Sequence, residues 1–209
     1  MKRALLAVAV LTICAPAAAK DSNPLDALVA AYPEQLSGHD GNTLVFKDGT
    51  RMDAGEARAP KSLDTLLTHA AIIDQFHQSY PAGARIAAPP VDFDPGRYRN
   101  QAFFAHMYGD CRKGEVEKNL TTIQWLGHPV RVTRVNGVAD ALRAVSAEIA
   151  KLPPALRAAA FPIAGVYACR SVADAGQPTM HAFAAAIDLN LKYSDYWLWD
   201  SRKNGAAGW

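Results

Sequence analysis

The sequence is sparing with features that would mark out whole classes of protein. It holds only three cysteines, Cys14, Cys111 and Cys169, too far apart for a zinc-finger cluster. It has no surplus of one charge: 22 Lys and Arg face 20 Asp and Glu, for a formal charge of +2. With no basic run or arginine stripe, nucleic acid is not expected as the main partner. There is no internal repeat, no low-complexity tract, and no second long apolar run behind the first. The strand–helix–strand rhythm of a doubly wound sheet is missing too. What remains is 50% hydrophobic and 20% charged, with 14 Gly and 13 Pro, over 209 residues. That is enough for one domain with a real core, and it excludes collagen-like, coiled-coil and generally disordered chains.

The one apolar run lies at the start. Lys2 and Arg3 precede an uncharged stretch, Ala4 to Ala19, that ends in Ala17-Ala18-Ala19. A positive region, a short apolar segment and a small-residue end have the form of a secretory signal peptide, with cleavage expected between Ala19 and Lys20. The run is short for a bilayer span, which sets aside the rival reading of a retained anchor. Cys14 follows Ile13 and not a small residue, so lipidation is not expected. Cleavage removes two positive charges and leaves an electrically balanced chain. The expected home is outside the cytoplasm, in the periplasm. There, Cys111 and Cys169 are either a disulfide or two buried thiols.

Along the chain, Leu25 to Tyr32 reads as a short helix closed by Pro33, and Leu44 to Phe46 as a strand entering the Lys47-Asp48-Gly49 turn. Ser62 can cap a helix with apolar positions Leu63, Leu66, Leu67, Ala70, Ile73 and Phe76. Pro81 to Pro95 reads as a loop, and Arg99 to Met107 as a helix. A hairpin is expected from Thr121 to Leu126 and Pro129 to Val135, turning at Gly127-His128. Next comes a helix with Val138, Leu142, Val145, Ile149 and Leu152 on one face, stopped by Pro153-Pro154. Ile163 to Cys169 and Ala185 to Leu189 read as buried strands. The sum is α+β: a single domain with a small antiparallel sheet and flanking helices. Its expected organisation is a signal peptide at 1–19, an N-terminal helical and loop extension at 20–95, and the main domain at 96–209.

Chemistry concentrates between Tyr167 and Trp199. His181 and Asp188 offer an imidazole and a carboxylate, both ordinary zinc ligands. Their odd spacing would point them to opposite faces of a straight strand, so convergence requires a bend near Ala184. The bland alternative is a loop histidine and a turn-capping aspartate. The bland reading of Arg170 is a salt bridge to Asp174 or Asp188. Tyr193, Tyr196, Trp197, Trp199 and Trp209 crowd the C-terminus, either as a ligand platform or as packing.

Thr179, His181, Ala186 and Asp188 fall in register with Ser-x-His-x-x-Gly-x-Ala-x-Asp. The segment thereby resembles the zinc D-Ala-D-Ala carboxypeptidase and dipeptidase family of peptidoglycan peptidases. Asp94-Pro95-Gly96-Arg97, Phe103 to Gly109 and Arg134 to Val138 extend the resemblance, which runs from about Asp48 to Trp199. It implies the hedgehog/D-Ala-D-Ala peptidase fold, zinc as cofactor, and a peptidoglycan stem peptide as partner. It implies His181 and Asp188 as metal ligands, Arg170 as the catalytic group stabilising a developing oxyanion, and Thr179 as a residue that binds substrate or orients the loop.

The sequence departs from the family pattern at two points. Ala184 replaces the motif glycine. In addition, neither His nor Glu follows Asp188, although the family places its third ligand and its general-base Glu beyond that point. The resemblance therefore implies a domain lacking the family's C-terminal closing elements, with weaker zinc binding and slower turnover. His39, His69, His77, His106 and His128 are the substitutes available for the third ligand. The competing expectation is a non-catalytic domain, either peptidoglycan-binding or structural.

Overall fold

Local chemistry sets the helix starts. In the computed structural model, which describes residues 23–56, 61–76, 98–171 and 177–193, helix α1 spans Pro24–Ala31. Asn23 Oδ1 accepts the Leu25 N–H at 3.0 Å, and Pro24 occupies a first-turn position whose N–H would have no helical partner. Leu25 and Leu28 face inward.

Three short strands follow as an antiparallel meander: β1 (Leu36–Asp40), β2 (Thr43–Phe46) and β3 (Arg51–Asp53). Alternation buries Leu44 and Phe46 on one face of β2. The sequence pattern foretold only this middle strand. Its neighbours are short and polar, and pairing with β2 is what makes them strands.

Helix α2 covers Leu63–His69, with Ser62 Oγ accepting the Thr65 N–H at 3.2 Å. The expected continuation to Phe76 does not form. Ala70 is extended, and a 3₁₀ turn occupies Ile73–Phe76. The cause is Asp74, which is buried. Its carboxylate takes the Ala71 N–H at 2.7 Å and the Lys61 ammonium at 2.5 Å, so the chain bends back to meet it. The proposed loop at 81–95 lies outside the described residues, as do the signal segment, His77 and the boundary at residue 96.

Helix α3 (Gln101–Tyr108) starts from Asn100, whose Oδ1 accepts the Phe103 N–H at 2.9 Å. Gly109 ends it at φ 96°. A Cβ there would lie 2.9 Å from the Glu115 backbone, so this position needs glycine on two counts. Strands β4 (Leu120–Trp125) and β5 (His128–Thr133) form the hairpin, but its turn is Leu126-Gly127. Both turn residues have positive φ, 49° and 85°, as a two-residue turn matched to strand twist requires. His128 is the first residue of β5, paired with Trp125.

Helix α4 (Val138–Ala150) buries Ala139 and Ser146 and half-buries Leu142 and Ile149. Val145 and Leu152, expected on the same face, are 46% and 42% exposed. Ser146 explains the rotation, because its Oγ accepts the Leu126 N–H at 2.9 Å and draws that side of the helix onto the hairpin. The prolines act as expected: α4 ends before them and Pro154 opens the short α5 (Pro154–Arg157).

Two cores result. The first packs α1, the meander and α3 around Leu25, Leu44, Phe46 and Phe103, and it also takes in Phe183 from far along the chain. It therefore draws on residues from both sides of position 96. The second lies under the hairpin and α4, with Ile123, Trp125, Val130 and Val132, flanked by Val166 and Ile187. The described residues are thus a mixed α+β single domain with two small antiparallel sheets, where one had been expected. Among them, no helix is long and apolar enough to cross a membrane.

The two last strands are a correction. Residues 163–169 and 185–189 form no regular ladder, only the isolated bridge Gly165↔Asp188, and the second isolated bridge, Ser171↔Pro178, lies beyond them. Two residues oppose one where they meet: Ala164 N–H donates to the Asp188 carbonyl at 2.9 Å, while Asp188 N–H donates to the Gly165 carbonyl at 2.8 Å. That slip breaks the alternation a strand needs. Most of the segment is consequently half-buried, with Cys169 and Arg170 exposed.

Candidate functional site

The site segment doubles back on itself. Residues 164–171 run out and residues 177–188 return, tied by Thr179 N–H to the Arg170 carbonyl at 3.1 Å and Ala168 N–H to the His181 carbonyl at 3.1 Å. Between these ties and Asp188, a 3₁₀ turn spans Met180–Phe183. Thr179 caps it, its Oγ1 accepting the Ala182 N–H at 3.3 Å, and it is buried there.

The expected bend is present. Ala184 sits in the left-handed region at φ 55° and ψ 28°, and it turns the chain so that His181 and Asp188 meet. Thr133 N–H donates to the Ala184 carbonyl at 3.3 Å, which hangs this turn on the end of β5. Alanine is costly at such φ, by about 1–2 kcal/mol, and glycine is not. Ala184→Gly should therefore raise stability by about 0.5–1 kcal/mol after the extra freedom of glycine in the unfolded chain is counted. Thermal unfolding should show a rise of about 1–4 °C. A fall would mean that packing of the buried methyl outweighs the backbone strain.

His181 Nδ1 lies 2.6 Å from the Val166 carbonyl. A carbonyl only accepts, so Nδ1 carries the hydrogen, and in a neutral ring Nε2 presents a lone pair. That lone pair faces Asp188 Oδ2 at 3.2 Å. Two acceptors turned toward each other call for a proton or a cation between them. A histidine with its far nitrogen anchored on a backbone carbonyl is also how metal-bound histidines are commonly held. The His181 side chain is 12% exposed and Asp188 49%, so the pair opens to solvent on the carboxylate side. Gly165 leaves room beside it, since a Cβ there would lie 3.8 Å from Asp188 Oδ2.

The donor set fits one edge of a zinc site. Among the described residues no group of three or more His, Cys, Asp or Glu is arranged to hold a metal. The other described histidines are engaged elsewhere. His39 bonds Asp26 and the Gly41 carbonyl, both at 2.9 Å, and the carboxylate raises its pKa. His106 contacts Asp48 at 3.2 Å and stacks edge-on against Phe46. His128 lies flat on Phe161, and His69 contacts the Thr68 hydroxyl.

Arg170 is exposed and makes no ion pair with Asp188; Asp174, Asp195 and Asp200 lie outside the described residues, with Tyr196, Trp197, Trp199 and Trp209. The neighbouring cysteines are joined: Cys111 and Cys169 form a disulfide with Cα atoms 5.7 Å apart.

One feature beside the site carried no sequence signal. Tyr167 lies between the two residues bonded to His181, and its hydroxyl donates to Glu117 Oε1. Desolvation, then the Glu117 carboxylate, push the Tyr167 hydroxyl up to about 12, so it stays a donor across the physiological range. The same bond lowers the Glu117 pKa. Fifty residues separate the partners, which is why no local pattern could announce them.

No protein-family model, no curated protein and no solved structure matches this chain.

Proposed function

We propose that this chain is an exported zinc-peptidase-type protein that hydrolyses D-amino-acid-containing peptide bonds of peptidoglycan stem peptides, of the D-alanyl-D-alanine carboxypeptidase type. The observation that carries the reading is the facing of His181 Nε2 and Asp188 Oδ2 at 3.2 Å, with Nδ1 held by the Val166 carbonyl. His181 and Asp188 would hold the ion. Zinc, when bound, supplies a water made acidic near neutral pH and polarises a carbonyl. The chain's own groups do the rest. Val166 fixes the imidazole tautomer, Thr179 and Ala184 shape the turn, and Arg170 would supply the guanidinium that stabilises a developing oxyanion.

A second reading is a non-catalytic peptidoglycan-binding or structural domain. It is favoured by the lack of a third ligand grouped with His181 and Asp188 among the described residues.

Equilibrium dialysis against zinc tests the first reading. The expected result is close to one zinc per chain, with His181→Ala and Asp188→Asn each weakening affinity by more than about 10-fold, the lower bound for losing even a supporting contact. No retained zinc, or zinc indifferent to both substitutions, overturns it. Co-sedimentation with peptidoglycan in the absence of zinc binding would favour the second reading.

A further inference from the structure

Arg170 is the exposed cation of the proposed site, yet it stands on a segment without a strand ladder. What holds it is a clamp from elsewhere in the chain. The 3₁₀ turn Cys111–Lys113 follows α3 directly and is rigidly set. Asp110 Oδ1 caps it through the Arg112 N–H at 2.9 Å, Glu115 Oε2 takes the Asp110 N–H at 2.9 Å, and Gly114 closes it in the left-handed region. Behind it, α3 is anchored in the first core through Phe103, Met107 and Tyr108.

This turn grips the Arg170 segment on both sides. Cys111 is bonded to Cys169, and the Arg112 guanidinium donates to Ser171 Oγ at 3.0 Å. Arg170 therefore sits between two tethers that come from consecutive residues. The same segment carries the Val166 carbonyl that fixes His181 and the Ala168 N–H that bonds its backbone. A covalent bond at one end thus bears on the guanidinium and, through three residues, on the imidazole.

We propose that the Cys111–Cys169 disulfide arms the site: the Arg170 and His181 arrangement is held in the oxidised chain and released in the reduced one. Such a protein would be unarmed in a reducing compartment and would assemble its site where disulfides form. The chemistry is thiol–disulfide exchange with a dithiol-type oxidant. The thiolate of Cys169, the more exposed partner, attacks one sulfur of the oxidant's disulfide and expels the other as a thiolate, giving a mixed disulfide. The Cys111 thiolate then attacks Cys169 Sγ and releases the second sulfur of the oxidant. Two electrons pass to the oxidant, which leaves as a dithiol, and the two cysteine protons are given up. The functional meaning of arming rests on the peptidase reading; the mechanical coupling does not.

Hydrogen exchange read by mass spectrometry on the full chain, oxidised against phosphine-reduced, tests it, with zinc affinity measured on the same samples. On reduction, exchange in peptides covering 164–171 and 178–183 is expected to speed up at least about tenfold more than in β4, β5 and α4, which lose only the protection that follows global stability. Zinc affinity should fall by about 10-fold or more. Arg112→Ala in the oxidised chain should loosen residues 169–171 alone, and Arg112→Lys should restore part of the protection. Unchanged exchange at 164–171 overturns the proposal. Loss across the hairpin and α4 as large as that at 164–171 also overturns it, because the bond would then hold only the fold at large. Local loosening with no zinc bound in either state supports the clamp and overturns the peptidase reading.

Discussion

Replacing both Cys111 and Cys169 with serine is expected to lower the unfolding free energy by about 4 kcal/mol. The bond joins residues 58 apart in sequence. In the chain-entropy account, closing a loop of that length removes about 4 kcal/mol of freedom from the unfolded ensemble, between the values for short and very long loops. In a domain of this size the melting temperature should drop by about 8–16 °C. Urea titration separates this from loss of native contacts, because an uncrosslinked unfolded chain exposes more surface and steepens the transition. A loss below about 1 kcal/mol would mean that the reduced unfolded chain already keeps these ends together. Typical domains retain about 5–15 kcal/mol in all, so the variant should still fold, and the local effects of reduction can be read against an intact hairpin.

Trp125→Ala should cost about 3–5 kcal/mol, the range for deleting a large buried aromatic. Trp125 is 2% exposed at the centre of the second core, and its indole Nε1–H donates to the Ala160 carbonyl at 3.0 Å. Truncation leaves a cavity and strands that buried carbonyl. Trp125→Phe keeps most of the volume and should cost less, about 1–3 kcal/mol, mainly through the unpaired carbonyl. The site should feel the larger change, because Val166 and Ile187 pack on this core and flank the His181–Asp188 pair. Chemical denaturation gives the energies. If the alanine variant loses less than the phenylalanine variant, the core has collapsed around the gap and the packing argument is wrong.

Much of the scaffold was legible where one residue determines one local event. Ser62 starts α2 through its own side chain, as its place before Leu63 indicates, and the hairpin announces itself by apolar alternation around a glycine turn. The errors arise where a distant group decides. α2 stops early because buried Asp74 pulls Ala71 and Lys61 toward it, and α4 turns its Val145 face outward because Ser146 is bound to the hairpin. Residues 163–169 are apolar enough to read as a strand, but a two-against-one slip opposite Asp188 breaks the ladder.

The candidate site divides in the same way. His181 and Asp188 stand out in the sequence, and the need for a bend at Ala184 follows from their odd spacing. What surrounds them is long-range. The Val166 carbonyl, the Glu117–Tyr167 bond and the Arg112–Ser171 contact join residues 15, 50 and 59 apart. No periodicity encodes such pairs, since each exists only after the cores have brought their elements together.

The reach of the first core has a consequence for synthesis. Leu25 and Phe183 are far apart in sequence, and both belong to one buried cluster. The cluster cannot close until Phe183 has left the ribosome. Until then, the faces of Phe104 and Tyr108 that receive it, with ring centres 5.9 and 6.2 Å from its own, remain uncovered. Any fragment ending before Phe183 therefore leaves this aromatic face of α3 uncovered and is expected to be more prone to aggregate than the full chain.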